Sequence, residues 1–597
     1  MRVSYAFFTA VSLATASCAG AEVPSAKAFV FPWVELIGFD NAKPDYGVAD
    51  YLGRMPRLPD AVSLHLDNDR TLRAYGGESD GDFVLPENSC SYRGRPYNGE
   101  RRRQAWRASQ LKGLVAELRR RGVDVYASFF YYKAMEMVHD RVELLADQIA
   151  RFLSDFGFSG FHGADGFSPP IQCLEAPERG LLSGSDDKNR PQIARQEAER
   201  FASAWKTIVS KLKASGLKCF VNTCWTLDPY EALYRYGVDY RLLAKAGIDG
   251  FVVESSASAK RLFDGPSQGP SPLDRSVAML MRLKASCPEV PLVVLHAVHD
   301  GAEQWSSLRH APCCVRAEAI ALGGVFYGNR HALDGFLPCL SDGIAESEWK
   351  SLYKVWDLAL APAKAPFGFR YVWSDRAFDA EFDSCAATLD CSSNTFLAEM
   401  IGCGAMVNAS VSVKEALEDP TMPILVVNPR FFPADELDAL VKRSAPVQLV
   451  GIGSGPPGYR DFELQPPAKR VFPGNAFSMP LPENMPPHDV VQSAAWQSAL
   501  RRMISTETAD LRLTAYWMAD GRLAMIARNG GEKYLNAKVD VGLDFADILT
   551  HTEFPTAPVQ STLRFRVAPN DAVVLSLGVH EPPLPGAPVA DASREGK

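Results

Sequence analysis

The sequence lacks long apolar runs and long basic runs, and each absence argues against a class of protein. After the N-terminus, no stretch approaches the ~18 uninterrupted apolar residues of a membrane-spanning helix, so we expect no transmembrane segment in the mature chain. Basic residues are scattered and the net charge is −8, which argues against nucleic acid as a partner. With 47% hydrophobic and 22% charged residues, the composition is that of a globular protein, not of a disordered or fibrous one.

Metal-binding signatures are also missing from the sequence. The 12 cysteines show no zinc-ligand spacing, and we expect neither a metal ion nor another cofactor. Cys18 belongs to the N-terminal leader, and the number of cysteines that remains is odd, so at least one thiol is unpaired in any disulfide scheme. Cys219 and Cys224 lie in apolar runs and are expected to be buried, whereas Cys385 and Cys391 flank a polar loop and could pair.

Residues 1–21 have the pattern of a secretory signal peptide. Arg2 supplies the positive charge, residues 6–16 form a short apolar run, and the Ala-Gly-Ala of residues 19–21 fits the cleavage pattern. The mature chain would begin near Glu22, and we expect export to the periplasm or the exterior. Cys18 keeps a lipoprotein anchor open as the alternative, although Thr15 stands where that motif has a large aliphatic residue.

Residues 22–365 are predicted to form a (β/α)8 TIM barrel. Short apolar runs alternate there with amphipathic stretches, among them residues 190–215 and 273–285. Near-continuous apolar strands must be covered on both faces, so this alternation predicts a parallel sheet wrapped by helices. The runs predicted as strands are 30–38, 61–66, 123–131, 157–164, 217–225, 250–254, 291–297 and 323–327.

Two smaller domains are expected after the barrel. Strand-like runs at 370–373, 404–408, 424–427 and 448–452 alternate with helical pieces and predict a small doubly wound α/β domain over residues 366–490. Residues 511–577 alternate in steps of two around an Asp520-Gly521 turn, which predicts a C-terminal β-sandwich over 491–580. The Pro- and Ala-rich remainder, 581–597, is expected to be a flexible tail.

Asp165 and Glu254 are the predicted catalytic residues. Active sites of TIM barrels form at the carboxyl ends of the strands, where the fourth strand leads to Asp165 and the sixth ends at Glu254. Asp165 lies between small residues that leave its approach open, although an aspartate before a glycine can also simply form a turn. Glu254 follows a buried run and must face the mouth or be paired, because an unpaired buried charge is costly. Two such carboxylates can cleave a glycosidic bond.

Other polar and aromatic residues at the predicted strand ends are expected to bind the substrate. Carbohydrate recognition combines hydrogen bonds from polar side chains with aromatic rings that cover the apolar face of a sugar. The candidates are Trp33, Glu35, His65, Asp67, Tyr131, Lys133, His162, Asn222, Trp225, Asp228, His296, His299, Asp300 and Asn329.

The histidines at these strand ends, which include His331, allow a second interpretation. A histidine cluster in a barrel is typical of amidohydrolase-type metal sites, but those barrels begin with His-x-His on the first strand, and this chain has Trp33-Val34-Glu35 there. A metal-dependent hydrolase is therefore the third hypothesis. The second is a glycan-binding barrel that has no catalytic activity.

The order of barrel, small α/β domain and small β domain resembles that of family 42 β-galactosidases. The resemblance implies that the middle domain has a glutamine-amidotransferase-like fold and mediates a homo-oligomer. The catalytic motif differs, because that family has Asn-Glu at the end of strand four and this chain has Ala164-Asp165. Its nucleophile on strand seven also has no counterpart, since His296 ends the run here.

The carboxylates on strands four and six are closer to those of family 66 dextranases. Residues 158–165, Phe-Ser-Gly-Phe-His-Gly-Ala-Asp, resemble the Phe-Asp-Gly-(any)3-Asp motif of that family, with Ser159 in place of the first Asp and one extra residue before Asp165. The resemblance implies Asp165 as nucleophile and Glu254 as acid/base, with retention of configuration. The sequence thus predicts an exported glycoside hydrolase that acts on a polysaccharide or glycan.

Overall fold

The computed structural model describes most of the chain between residues 27 and 577. The described residues are 27–68, 70–76, 82–86, 104–130, 141–164, 189–224, 228–254, 271–296, 312–339, 341–385, 393–402, 404–445, 447–452, 476–481, 504–506, 508, 510–541 and 562–577. The predicted signal peptide, the predicted C-terminal tail and Cys391 lie outside these residues.

The first sheet is parallel and curls into a ring. Its first strand is broken into two pieces that hydrogen-bond at the two ends of the sheet, and the other strands follow one another around the ring in chain order. The strands are β1 (Phe29–Val30 and Trp33–Glu35), β2 (Ala61–Asn68), β3 (Asp124–Phe130), β4 (Gly160–Gly163), β5 (Lys218–Asn222), β6 (Gly250–Glu254), β7 (Leu292–His296) and β8 (Gly335–Pro338).

Strand β1 closes this ring. The backbone N–H of Phe31 donates to Phe336 O in β8 at 3.0 Å, and the next residue, Pro32, accepts from the N–H of Ser63 in β2 at 2.8 Å. Adjacent residues of one segment therefore bond to both neighbouring strands, which satisfies the backbone groups on each side. The curled parallel sheet that the apolar runs predict is present.

Helices cover the outer face of the ring, as the amphipathic stretches predict. The helix Pro272–Ser286 begins with a capping box, in which Ser271 and Asp274 exchange hydrogen bonds around a proline in the first turn. The helices of this part are Val48–Gly53, Arg70–Gly76, Ala108–Arg120, Val142–Phe156, Arg190–Ala214, Pro229–Tyr236, Tyr240–Ala246, Pro272–Ser286, Pro312–Gly323 and Glu346–Ala359, with 3-10 turns at Leu36–Gly38 and Ser341–Gly343.

The eighth predicted strand, 323–327, is wrong. Phe326–Tyr327 does form a short strand, but it pairs with Val407–Ser412 in a different sheet. The ring is completed instead by β8, which hydrogen-bonds to β7 and β1. Both segments are buried and apolar, so hydrophobicity alone does not distinguish the sheet to which each belongs.

The closure depends on Gly335, and replacing it by alanine is expected to destabilise the barrel by ~3 kcal/mol or more. A Cβ atom at Gly335 would lie 2.0 Å from the carbonyl oxygen of Phe29, a backbone atom that cannot move without breaking the pairing of β1 with β8. Gly53→Ala is the control: it lies in a helix with nothing within 4 Å of the new Cβ. The free energy of unfolding of Gly53→Ala should increase by ~0.5–1 kcal/mol. Thermal unfolding of both variants tests the prediction; an unaltered midpoint for Gly335→Ala would contradict it.

A second, mainly parallel sheet follows the ring. Its strands, in spatial order, are Arg330–His331, Phe326–Tyr327, Val407–Ser412, Phe369–Trp373, Ile424–Val427, Val447–Ile452 and Ala476–Leu481, and only Arg330–His331 is antiparallel to its neighbour. The helices Asp375–Cys385, Ser393–Gly402, Val413–Glu418 and Ala434–Val441, with a 3-10 turn at Pro429–Phe431, connect these strands. The four strands that the sequence predicts here are present: Ile424–Val427 has the predicted bounds, and the other three are extended or shifted by a few residues.

Two antiparallel sheets complete the described structure. The Asp520-Gly521 pair turns between Leu511–Met518 and Leu523–Asn529, as predicted, and Gly521 has the positive φ of 85° that favours glycine. One sheet contains Ala363–Phe367, Leu511–Met518, Leu523–Asn529 and Asp571–Leu577; the other contains Ile504–Thr506, Leu535–Val541 and Thr562–Val567. Across the described ranges, no helix has the length and hydropathy needed to cross a bilayer.

Candidate active site

Alternation along the barrel strands determines which side chains face the interior. In β6, Phe251 and Val253 belong to the large core outside the ring, whereas Val252 belongs to a smaller cluster inside it. Successive side chains of a strand point to opposite faces, so Glu254 shares the inner side with Val252. The same alternation places Asn222 of β5 with the inner Phe220.

This inner cluster forms an apolar floor beneath a polar layer. The floor consists of Phe31, Trp33, Ala61, Tyr126, Phe220, Val252, Val293 and Leu337, whereas Ala164 and Cys339 of the same cluster follow the ends of β4 and β8 on the mouth side. The polar layer above it, at the carboxyl ends of the strands, contains Glu35, His65, Ser128, His162, Asn222 and Glu254, and of these only Glu254 is more than slightly exposed. Because TIM-barrel sites form at this end of the strands, the polar layer is the candidate site.

Three side chains of this layer, together with Ser63 below it on β2, form one hydrogen-bonded chain. Ser63 Oγ lies 2.8 Å from His162 Nδ1, and His162 Nε2 lies 2.6 Å from Asn222 Oδ1. The Asn222 amide Nδ2 donates to Glu254 Oε1 at 2.7 Å. The Glu254 backbone is held as well, since its N–H donates to Thr223 Oγ1 at 3.0 Å. The chain thus links the wall of the barrel to the carboxylate at its mouth.

The direction of each hydrogen bond in this chain follows from the chemistry of its groups. A carboxylate oxygen only accepts, so the nitrogen of the Asn222 amide faces Glu254 and its oxygen faces His162. His162 must then carry its proton on Nε2, and its Nδ1 accepts from the Ser63 hydroxyl.

Burial keeps both histidines of the layer neutral near neutral pH. Desolvation lowers the pKa of His162 to about 4, although its hydrogen bond to Asn222 acts in the opposite direction. Desolvation, followed by the nearby His162, lowers the pKa of His65 to about 3. Neutral imidazoles place no positive charge next to Glu254, and His162 acts as a fixed hydrogen-bonding group between Ser63 and Asn222.

Trp33 holds the two imidazoles in place. Its ring contacts His65 at 5.5 Å between centroids and His162 at 5.4 Å, both in edge-to-face arrangements. Phe31 contacts His162 from below at 5.8 Å. Trp33 is almost fully buried, so it supports the polar layer and does not offer an exposed face for sugar stacking.

His296, expected to bind substrate, lies on the outside of the barrel. On β7, Val293 and Leu295 belong to the inner cluster, so His296 points outward. Its Nδ1 accepts from the indole N–H of Trp356 at 3.1 Å, and its Nε2 lies 3.1 Å from the carbonyl oxygen of Val315, both on covering helices. His296 is therefore a core residue, and the prediction of substrate contact was wrong.

Asp228 is likewise used for structure. It is fully buried, its Oδ1 caps the helix Pro229–Tyr236 by accepting from Glu231 N at 2.9 Å, and its Oδ2 accepts from Arg282 Nε at 2.9 Å. The ion pair joins the barrel to the second sheet, because Arg282 Nη1 also donates to the Tyr371 hydroxyl at 2.7 Å. A carboxylate engaged on both oxygens is not positioned to bind substrate, which corrects the prediction.

Asn329 and His331 follow the misassigned strand and lie away from the barrel mouth. Asn329 Oδ1 accepts from Arg370 Nη2 at 3.0 Å in the second sheet. His331 contacts the carbonyl oxygens of Gly323 and Ala361 at the ends of two barrel helices. Assigning residues 323–327 to the ring placed both residues at the wrong site.

Several predicted site residues lie outside the described residues, and their placement stays a prediction. These residues are Tyr131, Lys133, Asp165, Trp225, His299 and Asp300. Asp67 belongs to β2, but its side chain is outside the description too. Of the predicted residues, the structure brings Trp33, Glu35, His65, His162, Asn222 and Glu254 together.

Sequence reasoning missed the two serines of the barrel interior. Ser63 bonds to His162, and Ser128, on the neighbouring β3, is fully buried with no hydrogen-bond partner for its hydroxyl among the described residues. Both are placed by alternation on the inner face, Ser63 two residues before His65. Over the same residues, no group of three or more His, Cys, Asp or Glu side chains is arranged to hold a metal ion.

A pH-dependent stability effect is expected at Glu231, beside the buried Asp228. Burial, then the charge of Asp228, raises the pKa of Glu231 from 4.5 to about 7. Between these values the folded chain holds a proton that the unfolded chain has lost, so this group lowers stability as the pH rises through the window. Glu231→Gln should therefore raise the thermal midpoint at about pH 8 and leave it unaltered at about pH 4. An equal shift at both values would contradict the assignment.

Comparison with known proteins gives structural matches only. No family model and no curated protein matches the sequence. The GH42 β-galactosidase Gan42B aligns with a TM-score of 0.55 at 8% identity, over 93% of this chain and 98% of that one. The exo-carrageenase GH42 from Bacteroides ovatus gives 0.53 at 10% identity, over 94% and 84%.

A third structural match is named for a different activity. The α-L-fucosidase isoenzyme 2 from Paenibacillus thiaminolyticus aligns with a TM-score of 0.54 at 9% identity, over 93% of this chain and 100% of that one. At such identities the likeness concerns the fold alone: this chain shares its fold with these three proteins.

Proposed function

We propose that this protein is an exported glycoside hydrolase that cleaves glycosidic bonds in a polysaccharide or glycan. The observation that carries the proposal is Glu254, a partly exposed carboxylate at the barrel mouth whose Oε1 is fixed by Asn222 at 2.7 Å. Among the described residues of the polar layer, its buried neighbours are uncharged apart from Glu35 on β1. An accessible carboxylate in such a layer is suited to proton transfer to a leaving oxygen.

The proposed reaction uses Glu254 with Asp165. In the first step the Asp165 carboxylate attacks the anomeric carbon, and Glu254 gives its proton to the departing glycosidic oxygen. In the second step Glu254, now ionised, takes a proton from water, and the resulting hydroxide displaces Asp165 from the same carbon. The configuration is then retained, which requires the two carboxyl groups to lie ~5–5.5 Å apart; inversion requires ~6.5–9.5 Å.

The rest of the chain fits this proposal in outline. We assign the second sheet to an amidotransferase-like middle domain that forms a homo-oligomer, and the antiparallel sheets to a C-terminal sandwich. The leader of residues 1–21 would direct export. These assignments rest on the order of the sheets and on the sequence pattern of the leader.

The test is a screen of the mature chain against chromogenic α- and β-glycosides and against polysaccharides of plant, algal and bacterial origin. Hydrolysis of one class, with product anomers followed by proton NMR, supports the proposal and identifies retention or inversion. Asp165→Asn should lose turnover while its thermal midpoint stays close to that of the parent. Binding on a glycan array without turnover would instead support the binding-protein alternative, and full activity of Asp165→Asn would remove the assigned nucleophile.

A further inference from the structure

The hydrogen-bonded chain behind Glu254 has a consequence for which oxygen of that carboxyl group reacts. Oε1 accepts from the Asn222 amide at 2.7 Å, so a proton carried by Glu254 must sit on Oε2. The two oxygens are therefore not equivalent: one is bound to the barrel wall and the other carries the proton.

Asn222 alone would not impose this difference. An asparagine amide can turn about its last torsion and exchange its oxygen and nitrogen, which would present Oδ1 to the carboxyl group. The contact that opposes this rotation is the 2.6 Å hydrogen bond from His162 Nε2 to Asn222 Oδ1. His162 is itself fully buried, and its Nδ1 is engaged by Ser63 at 2.8 Å.

The surroundings of His162 hold its ring as well as its proton. Trp33 and Phe31 contact the imidazole at 5.4 and 5.8 Å between centroids, so the ring cannot turn over without displacing them. When Nδ1 accepts a hydrogen bond from the Ser63 hydroxyl, the neutral ring carries its proton on Nε2, where it donates to Asn222.

We infer that His162 is a positioning residue that acts through Asn222: it fixes Glu254 Oε1 to the barrel wall and dedicates Oε2 to proton exchange with the substrate. The inference rests on the proposed glycoside hydrolase function. Without the His162 donor, Asn222 is free to turn, the hydrogen bond that favours the ionised carboxylate is lost, and the proton is shared between both oxygens.

The main experiment compares His162→Phe with His162→Gln on a glycoside with a sugar leaving group that the unaltered chain hydrolyses, because departure of a sugar alkoxide depends on the proton donor. Phenylalanine keeps the ring but not the donor; glutamine places an amide N–H where Nε2 stood. We expect His162→Phe to lower kcat ~10²-fold with little effect on KM, because the proton donor is misplaced and not the substrate. We also expect the alkaline limb of its pH profile to move to higher pH. His162→Gln should recover most of kcat and the original profile.

A second pair keeps the inference testable if the phenylalanine variant does not fold. His162→Asn places its amide where Nδ1 stood, so it should behave as the defective variant, whereas His162→Gln behaves as the intact one. Equal activity of these two polar variants would overturn the inference. So would a His162→Phe variant with an unchanged pH profile.

Nitrogen NMR of histidine-labelled full-length protein gives a readout that needs no substrate. The His162 signals, assigned by their loss in His162→Gln, should show a neutral ring protonated on Nε2 near neutral pH. A ring protonated on Nδ1 cannot donate to Asn222 and would overturn the inference. Failure of this inference differs from failure of the proposed function. If the proposed function fails, no glycoside is hydrolysed or Glu254→Gln stays active. If only the inference fails, Glu254→Gln is inactive and the His162 variants behave alike.

Discussion

Glu254→Gln is expected to lower turnover of a glycoside with a poor leaving group by ~10²–10⁴-fold, the contribution of a positioned general acid. Glutamine has nearly the same shape, and its amide oxygen can accept from Asn222 as Oε1 does at 2.7 Å. The hydrogen-bonded chain would survive, so the thermal midpoint should change little. What is lost is the proton on the second oxygen.

The leaving group distinguishes proton donation from other roles of Glu254. A nitrophenolate leaves without help from an acid, whereas a sugar alkoxide does not, so the loss should be much smaller on the nitrophenyl substrate. Glu231→Gln is the matched control, since it removes a carboxylate beside Asp228 and away from the polar layer. It should keep full activity. An equal loss on both substrates would show that Glu254 is not the proton donor.

The sequence predicted the barrel well because buried parallel strands appear in a sequence as short, mostly apolar runs. Seven of the predicted runs overlap strands β1 to β7, and each has apolar residues on the outer face, as a sheet covered by helices requires. The eighth failed for the same physical reason. Residues 323–327 are as buried as any barrel strand, yet Phe326–Tyr327 pairs with Val407–Ser412, and burial does not encode the pairing partner.

The polar layer was predicted only in part, because residues at strand ends were not sorted by face. Alternation on β7 already separates His296 from Val293 and Leu295, and alternation on β2 groups Ser63 with His65. Alternation could not have shown that Asp228 has a structural role and lies outside the site. Its partner, Arg282, is 54 positions away in sequence and reaches it only because of tertiary packing.

The helix that carries Arg282 shows why such a partner is hard to predict. Pro272–Ser286 has polar residues at several positions, and the sequence predicts it only as one of the amphipathic stretches of the barrel. From Ser276 to Ser286 every residue is buried, because the helix lies between the barrel and strands of the second sheet. Polar side chains on this helix therefore need partners inside the protein, and Arg282 finds Asp228 and Tyr371.

Arg282→Met should destabilise the protein by ~3–5 kcal/mol, which is the typical cost of removing one partner of a buried ion pair. Methionine fills a similar volume, so the loss comes from the charge that remains. Asp228 is fully buried, and among the described residues its carboxylate would keep only the N–H of Glu231 as a hydrogen-bond donor, at 2.9 Å. The Tyr371 hydroxyl would also lose its donor.

The double variant Arg282→Met with Asp228→Asn separates the two contributions to that loss. If the stranded charge is the cause, neutralising Asp228 should restore a large part of the stability, so the double variant is more stable than Arg282→Met alone. If packing against Trp373, 5.2 Å from the guanidinium, were the cause instead, both variants would be equally unstable. Activity offers a further distinction, since the Arg282 pair lies outside the polar layer: at temperatures where Arg282→Met stays folded, kcat should match that of the unaltered chain. The residue would then stabilise the junction between the barrel and the second sheet without taking part in the chemistry at Glu254.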